Sequence, residues 1–141
     1  MIETTINDQL VHYLRDLNHT MRRLYEGRGS QKRILIVLDA IGAPITQRAL
    51  TERLGIQPGS ASEVIAKLES AGLITRTPCA NDRRTSSIAL TPVGEMHATE
   101  AREQRAQRHR EMFACLSEEE KSTLLSLFAK LDDDWKVRYG R

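Results

Sequence analysis

The side chains with the clearest binding chemistry lie between residues 58 and 70, where apolar residues recur with helical spacing. Small and polar residues occupy the other side of that helix: Ser60, Ser62, Glu63 and Lys67. Serine can donate to or accept from base edges in the major groove of DNA, and glutamate accepts from the amino group of cytosine. Lys67 lies further along, where an ammonium group would contact phosphate. This face has the composition of a surface that reads duplex DNA.

A second group of polar side chains follows the first: Arg76, Asp82, Arg83 and Arg84. The short β-prone segments 73–77 and 86–91 flank the turn-rich loop 78–85, which predicts a two-stranded hairpin. Arginines near a hairpin tip can enter a narrow minor groove, and a carboxylate two residues away can orient a guanidinium. The alternative is a solvated loop whose charges serve solubility.

Two helices would position the first group. Thr46 is a candidate N-cap for a helix over 47–54, and Gly55 would end it. Proline at the first helical turn predicts a second helix over 58–71, before Gly72. Two helices joined by a short glycine-containing turn form a helix–turn–helix. Its predicted interior comprises Ala49, Leu50, Leu54, Ile56, Ala61, Val64, Ile65 and Leu68.

Longer helices flank this centre. The spacing predicts helices over 5–26, 30–41 and 91–116, and a capping box formed by Ser117 and Glu120 begins a last one. The last helix carries an apolar face made of Leu124, Leu127, Phe128, Leu131 and Trp135. Because the first helix has a similar stripe, we expect both stripes to be buried in an intertwined dimer.

Composition and charge limit the function classes. The chain has 141 residues, 28% of them charged and 40% apolar, which is typical of a globular protein. The longest aliphatic block, residues 34–38, is far shorter than a membrane span of about 20 residues. Residues 28–94 contain nine Lys/Arg and five Asp/Glu, whereas both flanks are slightly acidic. A basic centre between acidic flanks is typical of a DNA-contacting module on a separate scaffold.

Other constellations are weak. His12 with His19, or His97 with Glu100, could contribute to a zinc site, but no clear ligand set exists and we predict no metal. No motif activates a nucleophile, so we predict no catalytic residue, no cofactor and no enzyme activity. The absence of a signal sequence and of a disulfide pattern favours the cytoplasm. We interpret Cys115 as a small core residue.

These residues resemble the MarR family of bacterial transcriptional regulators. The specific motif is Asp82-Arg83-Arg84 followed by Leu90-Thr91-Pro92-Val93-Gly94, and the similarity is dense over residues 30–94. The resemblance implies a homodimer whose two winged domains bind a pseudo-palindromic operator. It also implies repression relieved by a small phenolic ligand or by an oxidant. Oxidant-sensing members carry a reactive cysteine in the first helix, and this chain has none there.

The resulting prediction is a mainly α fold with a small β-hairpin wing. Residues 1–29 and 95–141 supply dimerisation helices, and residues 30–94 form a winged helix–turn–helix that binds double-stranded DNA near the nucleoid. An inducer would bind near His12, Tyr13, His19 and Tyr25. The alternative is a helical protein–protein interaction module whose winged domain does not bind DNA.

Overall fold

The computed structural model describes residues 4–25, 30–81 and 84–140. Its elements in chain order are α1 (Ile6–Leu24), α2 (Gln31–Ile41), β1 (Ile45–Thr46), α3 (Gln47–Leu54), α4 (Pro58–Ser70), β2 (Ile74–Pro78), β3 (Ser86–Leu90), α5 (Pro92–Met112) and α6 (Glu118–Tyr139). The chain divides into two compact units, residues 1–101 and 102–141. The structure is mainly helical with a small antiparallel sheet, which confirms the predicted fold class.

Local capping chemistry fixes most helix ends where the sequence predicts them. The Thr46 hydroxyl accepts from the amide of Ala49 at 3.1 Å, and Gly55 ends α3 in the left-handed conformation with φ 68°. The Ser117–Glu120 capping box begins α6. In contrast, α5 ends at Met112 rather than near residue 116, because residues 113–116 form tight turns before the Ser117 cap.

The sheet contains one strand that sequence analysis missed. β1 is two residues long and pairs with β3 through Ile45 and Ile88, so the strand order is β1-β3-β2. The loop assignment of Pro78 was wrong, since Pro78 pairs with Ser86 at the end of β2. β2 is an edge strand, and proline is tolerated there because an edge position does not need its missing N–H.

The core of the first unit lies between α2, α3, α4 and the sheet. Its largest fully buried side chains are Ile34, Leu50, Ile65, Leu68, Ile74 and Ile88. Most of the predicted helix–turn–helix interior is therefore confirmed. Two predictions are wrong: Ala49 is exposed on the outer side of α3, and Cys115 is exposed in the turn after α5 rather than packed in a core.

The first and last helices keep their apolar residues at the surface of the chain. No residue of α1 or of α6 is buried, and Leu17 on α1 remains 57% exposed. On α6 the exposed fractions are 54% for Leu127, 41% for Leu131 and 45% for Trp135. Exposed apolar stripes of this length are unusual on a monomeric protein. In the described parts of the chain, no helix is long and apolar enough to cross a membrane.

Candidate nucleic-acid interface

Burial of one side of α4 determines which of its residues face solvent. Ala61, Ile65 and Leu68 are completely buried against the core. The helical repeat then turns the predicted contact residues Ser60, Ser62, Glu63 and Lys67 to solvent, and all four are exposed. The structure thus brings the first predicted group together on one continuous surface.

The N-terminal end of α4 is open to a ligand. Its N-cap residue, Gln57, makes no side-chain capping bond, and Pro58 occupies the first helical position. Proline has no N–H, so the next two amides, of Gly59 and Ser60, are the first donors of the helix. Gly59 has no heavy atom within 4 Å of the position of an added Cβ, so nothing crowds this end. Exposed amides at a helix N-terminus are suited to contact phosphate.

Arg76 does not extend toward the wing tip. Its side chain is 30% exposed and lies against α3 and α4, where Nη2 contacts Glu69 Oε1 at 3.1 Å. Nη1 donates to Gln47 Oε1 at 3.4 Å, and Gln47 Nε2 in turn donates to Ser62 Oγ at 3.0 Å. Sequence analysis missed Gln47 and Glu69, because partners 29 and seven residues from Arg76 leave no local signal.

The wing and α4 share a cleft of about 670 Å³ beside the start of α3. Ser62 and Arg84, which are 22 positions apart in the sequence, both line it, together with Gln47 and Arg48. Arg84 is exposed at the end of the wing loop. The predicted contacts Asp82 and Arg83 lie outside the described residues. Polar side chains from α3, α4 and the wing therefore line one cleft, and the carboxylate of Glu52 lies among the donors.

A tight junction joins the end of α4 to the start of α5. The Thr91 hydroxyl donates to the carbonyl of Gly72 at 2.6 Å and accepts from the amide of Gly94 at 3.0 Å. The Thr91 amide donates to the carbonyl of Leu73 at 3.1 Å. A Cβ on Gly94 would lie 2.9 Å from the Leu73 carbonyl carbon and closer still to its oxygen. The Thr-x-x-Gly spacing at 91–94 is thus a packing requirement.

The predicted ligand residues all lie at α1. His12, Tyr13 and His19 are exposed, and Tyr25 is the half-buried C-cap residue. His12 Nε2 lies 3.2 Å from Asp16 Oδ2, and its ring meets that of Tyr13 edge-on. Within the ranges that the structure describes, no three His, Cys, Asp or Glu side chains are grouped so as to hold a metal ion.

The helix–turn–helix of α3 and α4, followed by the β2–β3 hairpin, defines a winged helix–turn–helix. Residues 28–85 match the sequence model of the MarR family. A probable transcriptional regulator from Pseudomonas aeruginosa is similar at 28% identity, with a TM-score of 0.67 over 90% of this chain and 99% of that one. The winged helix–turn–helix of this chain is therefore similar to that of the MarR family.

Two further solved structures are similar. A mutant MarR from E. coli complexed with operator DNA shares 27% identity and a TM-score of 0.60, over 72% of each chain. The PcaV transcriptional regulator from Streptomyces coelicolor, in complex with its natural ligand, shares the fold. Its identity is 22% and its TM-score 0.67, over 94% of this chain and 98% of that one.

Proposed function

We propose that this protein is a transcriptional repressor that binds a pseudo-palindromic DNA operator as a homodimer in the cytoplasm. The observation that carries the proposal is the outer face of α4, where small and polar side chains are exposed beside an open helix N-terminus. Such an end can enter a major groove closely. The operator complex of a MarR relative supports this assignment.

Within this proposal the residues of α4 have different roles. Ser60, Ser62 and Glu63 contact base edges, whereas Lys67 contacts phosphate. Glu63→Ala should therefore relax the preference for one base pair in each half-site, by about 1–3 kcal/mol of discrimination. Arg84, with Asp82 and Arg83 beside it in the sequence, contacts the minor groove.

The test uses the pure protein and duplex fragments of its own genome. Wild-type protein should retain specific fragments with an affinity that falls as salt rises. Lys67→Ala should weaken binding to all sequences alike and reduce the slope of log K against log salt by about one unit. Lys130→Ala is the matched control, since Lys130 is an exposed lysine on α6, and its slope should equal that of the wild type.

Failure of the wild-type protein to retain any duplex would reject the proposal. It would favour the alternative, in which the winged domain binds another protein.

The homodimer rests on the exposed apolar stripes of α1 and α6. Residues with exposed fractions of 40% to 60% line both helices, including Leu10, Leu17, Leu127 and Leu131. Burial of apolar surface against a second copy would contribute roughly 25 cal/mol per Å² to the assembly, opposed by the entropy lost on association. We therefore assign residues 1–29 and 95–141 to dimerisation and residues 30–94 to DNA binding.

Release of DNA would follow binding of a small phenolic ligand near α1. His12, His19 and Tyr25 offer hydrogen-bonding groups for a hydroxyl, and Tyr13 offers an aromatic face. The ligand complex of PcaV, a protein of the same fold, supports a ligand-responsive mechanism. In calorimetry with simple phenols, Tyr13→Ala should lose heat of binding, and equal heats for variant and wild type would place the ligand elsewhere.

A further inference from the structure

We propose that Gln47 and Arg76 fix the hydrogen-bond polarity of Ser62, so that its hydroxyl presents a donor to DNA. Gln47 and Arg76 are positioning residues here, because they act on the reading surface through Ser62. The proposal rests on the DNA-binding function proposed above. It assigns to Ser62 one class of DNA partner, a hydrogen-bond acceptor.

The polarity follows from the donors and acceptors along the chain of contacts. A guanidinium carries donors only, so the group of Gln47 that faces Arg76 Nη1 must be its carbonyl oxygen, at 3.4 Å. The amide nitrogen of Gln47 then points at Ser62 Oγ, 3.0 Å away, and can only donate. Ser62 Oγ is therefore the acceptor of this bond. Its own hydrogen is directed elsewhere, and no described residue accepts it.

Glu69 holds the start of this chain of contacts. Its carboxylate contacts Arg76 Nη2 at 3.1 Å, so the guanidinium has an anchor on α4 independent of Gln47. Both side chains of this ion pair are more than half shielded from solvent, at 30% and 38% exposure. A hydroxyl that accepts a hydrogen bond is polarised and becomes a stronger donor of its own hydrogen. The anchored guanidinium thus keeps Ser62 ready to donate.

A donating hydroxyl distinguishes among the groups that DNA offers. Purine N7, guanine O6, thymine O4 and phosphate oxygens accept a hydrogen bond, whereas the amino groups of adenine and cytosine donate. Ser62 shares its cleft with Arg84, which also only donates. The bond from Gln47 occupies one of the two lone pairs of Ser62 Oγ and strengthens the hydroxyl as a donor, so we expect the partner of Ser62 to be an acceptor.

The test reverses the polarity with Gln47→Glu. The substituted carboxylate accepts from Arg76 and also from the Ser62 hydroxyl, which would turn its hydrogen away from DNA. Affinity is measured for a duplex that the wild-type protein selects from a random-sequence library. We expect Gln47→Glu and Ser62→Ala each to weaken binding roughly tenfold. In the Ser62→Ala background, Gln47→Glu should lower affinity by a clearly smaller factor than it does in the wild-type background.

The double substitution separates polarity from charge. Repulsion between the new carboxylate and DNA acts whether or not Ser62 is present, so repulsion alone would lower affinity by the same factor in both backgrounds. Equal factors would overturn the proposal. Failure of the wild-type protein to select any duplex would instead reject the DNA-binding function itself. A selection repeated with Gln47→Glu distinguishes the partners: a changed base preference indicates a base edge, and an unchanged preference with lower affinity indicates phosphate.

Discussion

Gly94→Ala is the substitution for which the structure gives the sharpest expectation. An added Cβ would lie 2.9 Å from the carbonyl carbon of Leu73 and 3.2 Å from Leu90 Cδ2, with the Leu73 oxygen nearer still. The obstacle is backbone, so no side-chain rotation can relieve it. The first turn of α5 must move away by on the order of 1 Å, since carbon and oxygen normally approach to roughly 3.3 Å.

That displacement also breaks hydrogen bonds. The bonds at risk join Thr91 to the carbonyls of Gly72 and Leu73, at 2.6 Å and 3.1 Å. Overpacking costs about 1–3 kcal/mol, each lost bond about 1 kcal/mol, and the better helix propensity of alanine returns about 1 kcal/mol. The net loss is roughly 3 kcal/mol, equivalent to about 10 °C in melting temperature for a chain of this size.

Gly59→Ala is the matched control, because it adds the same methyl group to a helix with nothing within 4 Å. It should leave stability unchanged or raise it by up to about 1 kcal/mol. Both variants would be unfolded by heat and by urea at one protein concentration, with helicity followed by circular dichroism. A Gly94→Ala protein within about 1 kcal/mol of the wild type would refute the close approach of α5 to Leu73.

Three other predictions test separate parts of the molecule. Leu131→Asp should give monomeric or unfolded protein in sedimentation, whereas Val137→Asp, turned away from the stripe and 88% exposed, should remain dimeric; a dimeric Leu131→Asp would remove α6 from the interface. The backbone amide and then the side chain of Ser117 lower the pKa of Glu120, so Ser117→Ala should raise that pKa in an NMR titration. The stabilisation from this lowered pKa is present above the ordinary glutamate pKa and is lost as the pH falls through the folded pKa, so the stability difference between variant and wild type should shrink in acid. A difference that stays constant with pH would show that the Ser117 side chain does not stabilise the Glu120 carboxylate. Arg84→Ala should weaken binding to the operator strongly with little change in melting temperature, and an affinity equal to that of the wild type would exclude the wing from the interface.

Local signals in the sequence predicted most of the helical framework. As expected, Thr46 is the N-cap of α3 and Gly55 ends it, because capping residues act only on their neighbours in the sequence. The strand β1 gave no such signal, since two residues become a strand only when β3, more than 40 residues later, pairs with them. Ala49 was wrongly predicted to be buried, because helical periodicity alone cannot show where the buried face ends.

The candidate site was predictable as a set of residue types but not as a set of contacts. The exposure of Ser60, Ser62, Glu63 and Lys67 follows from burial of the opposite face of α4. The spacing of the apolar residues in the sequence predicts that buried face. The pairing of Arg76 with Glu69 and Gln47 depends on how β2 packs against α3 and α4. Charge alone suggested that Arg76 belonged with the wing arginines, and only tertiary packing assigns it to the support of α4.

The junction at Thr91 couples the orientation of α4 to that of the start of α5. Gly72 and Leu73, which directly follow α4, are held to the first turn of α5 by hydrogen bonds from Thr91 and by direct backbone contact at Gly94. Ser60 lies ten residues from Ser70 along the same helix, which corresponds to about 15 Å. A tilt of about 5° at the junction, with α4 rigid, displaces the far end by on the order of 1 Å, enough to lengthen a hydrogen bond beyond its useful range. Small rotations of the start of α5 are therefore magnified at the end of α4 that carries Ser60.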